Sequence, residues 1–487
     1  MNAAHEKKTQ VAPSTHLANS DLLPTQQRHW GTYSFFALWM SDIHSLGGYV
    51  FAAGLFFLGL AGWQILLSML CGILIVNFLL NCIGSMGNIT GVPYPVLARL
   101  SFGVFGANLP ALIRAGVGVV WYGVQTWLGS ESLLILVEAI FPGTHQALGP
   151  GWLGLSGLGW GCFMTMWLLQ QLLFWRGMER VRHFIDFCGP AVYVVMFALA
   201  GWMLSQAGWS VFTLKLSTRE LTVAQTISEM LGVVALVVAY FSALLLNFAD
   251  FSRFATSAQA VRRGNLLGLP LNFMLFALVT VIITASTVTV FGEAILDPIK
   301  VVERIENKPA LIIGCLTLVI ATIGINIVAN FVSAAYDIAN VAPRYISFTT
   351  GGLITSLLSI AVLPWQLYNN PVAINLFVGS LGACLGPLFG VIIVDYYWTR
   401  RRHIEIDDLY SESHSASYWY QGGFNFRAIA AFLPAAIIAM GFVLLPQEAG
   451  QVGAYGWTIG TLLAGVLYAL FMPRVPKPLS GPPDAKS

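Results

Sequence analysis

Charge is scarce in this sequence. Only 9% of the 487 residues are Asp, Glu, Lys or Arg, against about 25% in soluble domains, so there is too little polar side chain to coat a globule of this size. Hydrophobic residues make up 57% and the mean hydropathy is +0.73. Length alone would allow about three soluble domains, but the composition points to one polytopic membrane bundle. It excludes a nucleic-acid binder, a secreted disulfide scaffold and a disordered chain. The net charge of +2 adds nothing, because what matters is where the charges sit.

Clustered cysteine is lacking too. Cys71, Cys82, Cys162, Cys188, Cys315 and Cys384 lie in or beside apolar runs and no pair has CxxC spacing, so they read as buried free thiols rather than a disulfide or zinc framework. No GxSxG, HExxH or Walker A sequence occurs, the nearest fragment being His5-Glu6. The chain therefore reads as neither a hydrolase nor an ATP-driven pump, and no cofactor is expected. The first 30 residues are polar and have no apolar core of a cleavable signal, so the first apolar run serves as both signal and first span.

What is there in abundance is long apolar segments. A hydrocarbon core of about 30 Å needs roughly 20 mostly apolar residues per helix. That ruler predicts twelve spans, near 32–55, 62–85, 108–140, 157–177, 185–207, 226–249, 265–291, 309–337, 349–366, 371–397, 427–446 and 455–472. These runs are too long for barrel strands. The fold class expected is an all-α integral membrane protein. Segment 88–107 is punctuated by Gly and Pro and reads as an interfacial linker.

Lys and Arg predict the topology. With the N-terminus inside, 18 of the 24 basic residues fall in cytoplasmic segments, among them Lys7, Lys8, Arg28, Arg176, Arg253, Arg262, Arg263, Arg400 and Arg427. Lys215, Arg219, Lys300, Arg304 and Lys308 fall outside, and Arg114 sits at a helix start. The bias puts both termini in the cytoplasm of a multi-pass cell (inner) membrane protein, with a polar N-terminal tail over 1–28, one transporter domain over 29–473 and a C-terminal tail over 474–487. The loop 400–426 is too short for a soluble domain.

Polar groups inside spans are costly and mark pathways or pockets. The first span carries Ser41, Asp42, His44 and Ser45, then Gly47-Gly48. Paired glycines permit an unwound stretch whose free backbone groups face a ligand; a kinked helix with structurally paired Asp42 and His44 fits the same letters. In the third span Trp121 and Gln125 are four apart and share a face, offering a stacking plane beside an amide, or a packing pair. In the eighth, Asn326 and Asn330 are likewise four apart and face a partner helix, water or substrate. Gly382, Gly386 and Gly390 form a strip for close helix packing. Glu131 and Glu229 lie near helix ends or interior faces, and Asp250 and Asp395 read as anchors of helix ends rather than proton carriers. A secondary transporter and a passive channel or facilitator survive as function classes, and the charge-bearing broken helix favours the transporter.

The ordered set ALWMSDIHS, WYGVQTWLG, NFADFSRFA, IVANFVSAAY and LGPLFGVIIVDYYWTRRR resembles the nucleobase:cation symporter-1 family over about residues 22 to 446. The resemblance implies a LeuT-type fold: a 5+5 inverted repeat of spans 1–5 and 6–10, plus two C-terminal helices. It implies a planar ligand held between Trp121 and Phe241, with Gln125 and Asn330 pairing with the ring edges. Ser45 stands where related chains have a longer amide, and Tyr240 replaces a glycine, so a break in the sixth span is weakly signalled. Asn326 joins the substrate-binding candidates. Phe241 and Ser45 lean the substrate towards uracil, with hydantoin, allantoin or cytosine as alternatives. The family's sodium site maps onto carbonyls of Ser41, His44 and Ala321 and onto Gly324 and Ile325, neither of which has a side-chain oxygen. A hard cation needs oxygen ligands, so a proton carried by Asp42 or His44 is expected in place of sodium. The partners expected are a small planar heterocycle and the lipid bilayer, with no nucleic acid, and the chain is expected to act as a monomer.

Overall fold

The computed structural model describes residues 13–149, 151–209, 211, 219–445 and 454–475; Lys7, Lys8 and Lys215 of the charge argument lie outside the described residues. Each of the twelve apolar runs is helical. The first is split into Thr32–Ile43 and Leu46–Leu55. The second to fifth are Gly62–Thr90, Asn108–Ile140, Gly157–Phe174 and Met178–Ala207. The sixth runs Val223–Tyr240, turns at Phe241 and resumes over Ser242–Asn247. The seventh is Ala258–Phe291. The eighth is Lys308–Ile325, a π-helical turn Asn326–Phe331, then Val332–Val341. Phe348–Ala361, Pro371–Val394, Phe426–Val443 and Gly456–Phe471 complete the set.

Seven of these helices are long and apolar enough to cross a bilayer on length and composition alone, among them the second, fifth, seventh and eighth. The first misses that test because it is broken; the ninth and twelfth are short. The outer faces are those of lipid-facing helices. Trp63, Leu67, Leu70, Leu74 and Phe78 are all exposed along the second span, one helical stripe of apolar side chains.

The first span packs on the fifth and seventh, the second on the sixth and seventh, and the third on the fourth, eighth and ninth. The tenth, eleventh and twelfth form a group of their own. There the glycine strip does the packing expected of it: a Cβ at Gly386 or Gly390 would run into the backbone of Trp457 or Thr461 on the twelfth span. Asp395 anchors the end of the tenth span, accepting from Ser101 (3.1 Å), Tyr468 (2.9 Å) and Arg400 (3.1 Å). Asp250, the other expected anchor, accepts the Tyr94 amide at 2.7 Å.

Two segments expected to lie outside the spans are packed into the body. Segment 88–107 links the second and third spans as expected, but it is not exposed: Tyr94–Leu97 and Arg99–Phe102 are short helices whose residues are all buried. Arg99 donates there to the Leu409 carbonyl (3.0 Å) and the Asn340 side chain (2.6 Å), which satisfies a charge that an apolar ruler could not place. Residues 13–30 are likewise packed on the body. Leu17, Leu22 and Trp30 are buried, and Arg253 donates to the Asp21 and Leu23 carbonyls at 3.0 and 2.7 Å.

Candidate substrate and coupling site

The break in the first span falls on His44 and Ser45, two residues before the glycine pair. His44 has ψ 67° and Ser45 is extended, capping the second half of the span by accepting the Gly48 amide at 2.7 Å. Serine is a strong N-cap because its oxygen satisfies an orphan amide. Gly48 is needed for closeness rather than unwinding: a Cβ there would lie 2.6 Å from Ser45 Oγ and 2.8 Å from the Tyr240 hydroxyl.

The sixth span is broken as well, without glycine or proline to signal it. Phe241 turns at φ −86°, ψ 6°. It is 2% exposed, with its ring against Trp39 (6.4 Å), Phe273 (5.6 Å) and Tyr240 (5.2 Å). Tertiary packing thus sets a break that local sequence leaves weak. Tyr240 beside it is 39% exposed, stacks on Phe51 at 4.8 Å and 14°, and meets Ser45 Oγ at 3.0 Å. The two breaks are therefore tied together by one hydroxyl pair.

Trp121 is half-buried and lies against both major apolar clusters, the one holding Phe241 and the one holding Leu46 and Trp365. Its ring contact is Phe377 of the tenth span, at 5.8 Å, a residue that nothing in the sequence singles out. Gln125 is buried and its Oε1 has no partner. Asn330 donates to Asn326 Oδ1 at 2.9 Å.

Asn326 itself is taken up inside the protein. Its amide donates to the Tyr122 carbonyl (3.0 Å), Thr126 Oγ1 (3.1 Å) and Gln170 Oε1 (2.7 Å). It ties the eighth span to the third and fourth and positions Asn330, rather than offering a free amide to a ligand. Gln170 and Thr126 were missed because they look like ordinary polar residues until the helices are packed.

Asp42 and His44 are both buried but make no ion pair with each other. Asp42 Oδ1 and His44 Nε2 have no partner, and the His44 ring is held edge-on by Tyr193 (4.1 Å) and Phe276 (5.2 Å). A cavity of about 20 Å³, room for one water, is lined by His44, Ser45, Tyr49, Phe276 and Ala321. It is far too small for a heterocycle. The space opened by Gly324 is not left for water: Ser41 Oγ occupies it, with Cys188 Sγ at 3.5 Å from that oxygen. Ile325 is buried and apolar. The structure thus gathers Ser41 and Gly324 into one contact and His44 and Ala321 around one cavity, and neither 324 nor 325 supplies a side-chain oxygen.

A family model described as a permease for cytosine/purines, uracil, thiamine and allantoin matches residues 22–460. The chain belongs to this family. It is 36% identical over 471 residues to an allantoin permease of Bacillus subtilis, covering 96% of this chain and 95% of that one. It is 33% identical to the purine-uracil permease NCS1 of Arabidopsis thaliana, covering 96% and 79%. Among solved structures it is similar to Mhp1, a nucleobase-cation-symport-1 family transporter, in a closed conformation with bromovinylhydantoin bound. That match has TM-score 0.76 and 22% identity, and covers 93% of this chain and 95% of that one. The chain is thus a multi-pass membrane transporter and not an enzyme, and its fold is the expected LeuT-type one.

Proposed function

We propose that the chain imports a planar, amide-bearing heterocycle of the allantoin and hydantoin class by proton-coupled alternating access, with no covalent chemistry. The observation that carries the reading is Gln125: a buried carbonyl oxygen without a partner, one turn from Trp121. A buried polar atom left unpaired is costly, and a ring amide or imide N–H is the group that satisfies it. Trp121 supplies a stacking face of low specificity, and Asn330 a second amide that discriminates among ring edges. The enclosed Phe241 acts as the floor behind Tyr240 in this arrangement.

The name of the Bacillus relative supports allantoin over the uracil to which Phe241 and Ser45 lean the sequence; that of the Arabidopsis relative keeps uracil in contention. Proton coupling is supported by the missing hydroxyls at Gly324 and Ile325 and by Asp42 and His44, both buried with an unpartnered atom. The bias of Lys and Arg supports cytoplasmic termini in the cell membrane, and a bundle of this size works as a monomer.

The deciding experiment is a competition panel in cells that express the full chain, with radiolabelled allantoin as the probe. Allantoin and hydantoin should compete best, ahead of uracil, cytosine, thymine and xanthine. Uptake blocked by uracil at far lower concentration than by unlabelled allantoin would return the assignment to uracil. Uptake blocked by none of them would remove the heterocycle reading.

A further inference from the structure

Beyond the substrate amides, the eighth span carries a carboxylate that the site around Trp121 and His44 does not use. Asp337 lies about two turns past Asn330 on the same helix, is wholly buried, and neither of its oxygens has a hydrogen-bond partner. Its charged neighbours are Asp250, from the segment after the sixth span, and Arg114, from the third. The titratable group beside them is Tyr94, whose hydroxyl is buried and unpartnered.

The two carboxylates are held unequally. Asp250 accepts the Tyr94 amide at 2.7 Å and the Asn247 side chain at 3.4 Å, and it has Arg253 as well as Arg114 for charge. Arg253 is itself fixed on the Asp21 and Leu23 carbonyls. Asp337 shares Arg114 only, makes no ion pair among the described residues, and faces a like charge. Asp250 is the better-held anion of the two. When two buried carboxyls sit in environments this different, the poorly held one takes the proton. A metal cation is the poorer occupant, because the guanidinium of Arg114 would repel it and the oxygens it needs are not gathered.

We infer that Asp337, set against Asp250 and Arg114, is a second exchangeable-proton site on the far side of Asn330 from the break of the first span. The inference rests on the proton-symport reading of the function and deepens it. Arg114 is the connection. Its Nη2 donates to the Ala329 carbonyl at 2.6 Å, inside the π-helical turn that holds Asn326 and Asn330, while its Nε and Nη1 have no partner. With Asp337 neutral, Arg114 holds that turn. When the proton leaves, Arg114 gains a second carboxylate to turn towards, and the turn bearing Asn330 is released. Proton departure and substrate departure are thereby linked through one side chain. Turns of this kind, with main-chain groups freed from the regular ladder, recur at functional sites.

The test uses the full-length protein purified in detergent and then in proteoliposomes. Infrared difference spectra across a pH titration should show a carboxylic-acid C=O band in the wild type that is missing in Asp337→Asn and shifted in Asp337→Glu. A band untouched by both substitutions overturns the assignment, and the Glu variant alone still decides the matter if the Asn variant does not fold. In liposomes with radiolabelled allantoin, Asp337→Asn should retain counterflow exchange within about threefold while proton-driven accumulation falls at least about tenfold; Asp337→Glu should restore accumulation. Equal loss of both activities, or proton-driven accumulation like that of the wild type, overturns the inference. Wild-type counterflow without proton-driven accumulation would instead overturn the coupling reading, and this inference with it.

Discussion

Ser45 Oγ and the Tyr240 hydroxyl lie 3.0 Å apart, and this contact joins the broken middles of the first and sixth spans. The breaks fall at His44–Ser45 and at Phe241, in the first and the sixth of the spans. Ser45 does double service, because the same oxygen caps the Leu46–Leu55 helix through Gly48.

Ser45→Ala removes both interactions, and Tyr240→Phe removes only the one between spans. The first should lower stability by about 0.5–2 kcal/mol for the lost N-cap, plus the contact between spans. The second should cost about 0.5–1.5 kcal/mol, the net value of one hydrogen bond. Thermal unfolding in detergent checks the ranking; equal losses would mean that the cap contributes nothing here.

Trp121→Ala should abolish saturable uptake while the protein stays inserted and folded. Stacking on an indole is a large part of the affinity for a flat ring. Near-normal affinity for every candidate ring in that variant would show that the ligand stacks elsewhere. Phe377→Ala, which uncovers Trp121, should alter uptake without abolishing it.

Asn326 and Asn330 test whether a holding amide can be told from a binding one. Asn326→Ala leaves the Gln170 carbonyl and its neighbours short of a donor and should destabilise by about 1–3 kcal/mol. Asn330→Ala, which takes only the donor of Asn326 Oδ1, should destabilise less than Asn326→Ala and weaken substrate binding at least about tenfold. Melting curves and binding isotherms on the two variants decide it; a reversed pattern would exchange their roles.

Gly324→Ser should not create a sodium site. Its Cβ would collide with Ser41 Oγ, an overpacking expected to cost about 1–3 kcal/mol. Adding Ser41→Ala should recover most of that stability, since it vacates the contested space. Melting temperatures of the single and double variants test this, and a stable single variant would mean that Ser41 can move aside.

Much of this was legible in the letters. Twelve apolar runs are twelve helices because, in hydrocarbon, a helix satisfies its own backbone groups, so the length of each run decides its structure. A break in the first span was legible from Gly47-Gly48, although it falls two residues earlier, on His44 and Ser45. The break at Phe241 was not, because three aromatic neighbours packed around its ring set it. The π-helical turn at Asn326–Phe331 was hidden for the same reason, and with it the fact that Asn326 is consumed by Gln170 and Thr126. Arg99 and Arg114 look like loop or helix-start charges in sequence. Each is buried, and only the partners brought by distant segments reveal it.

Ion dependence of accumulation tests the central claim most directly. Membrane vesicles bearing the full chain are given radiolabelled allantoin, with choline replacing sodium and an inward proton gradient imposed. The account predicts accumulation above the external concentration, collapsed by a proton ionophore and unchanged when sodium is restored. Accumulation that requires sodium and ignores the ionophore would contradict the coupling, and equilibration without accumulation under either gradient would contradict secondary active transport.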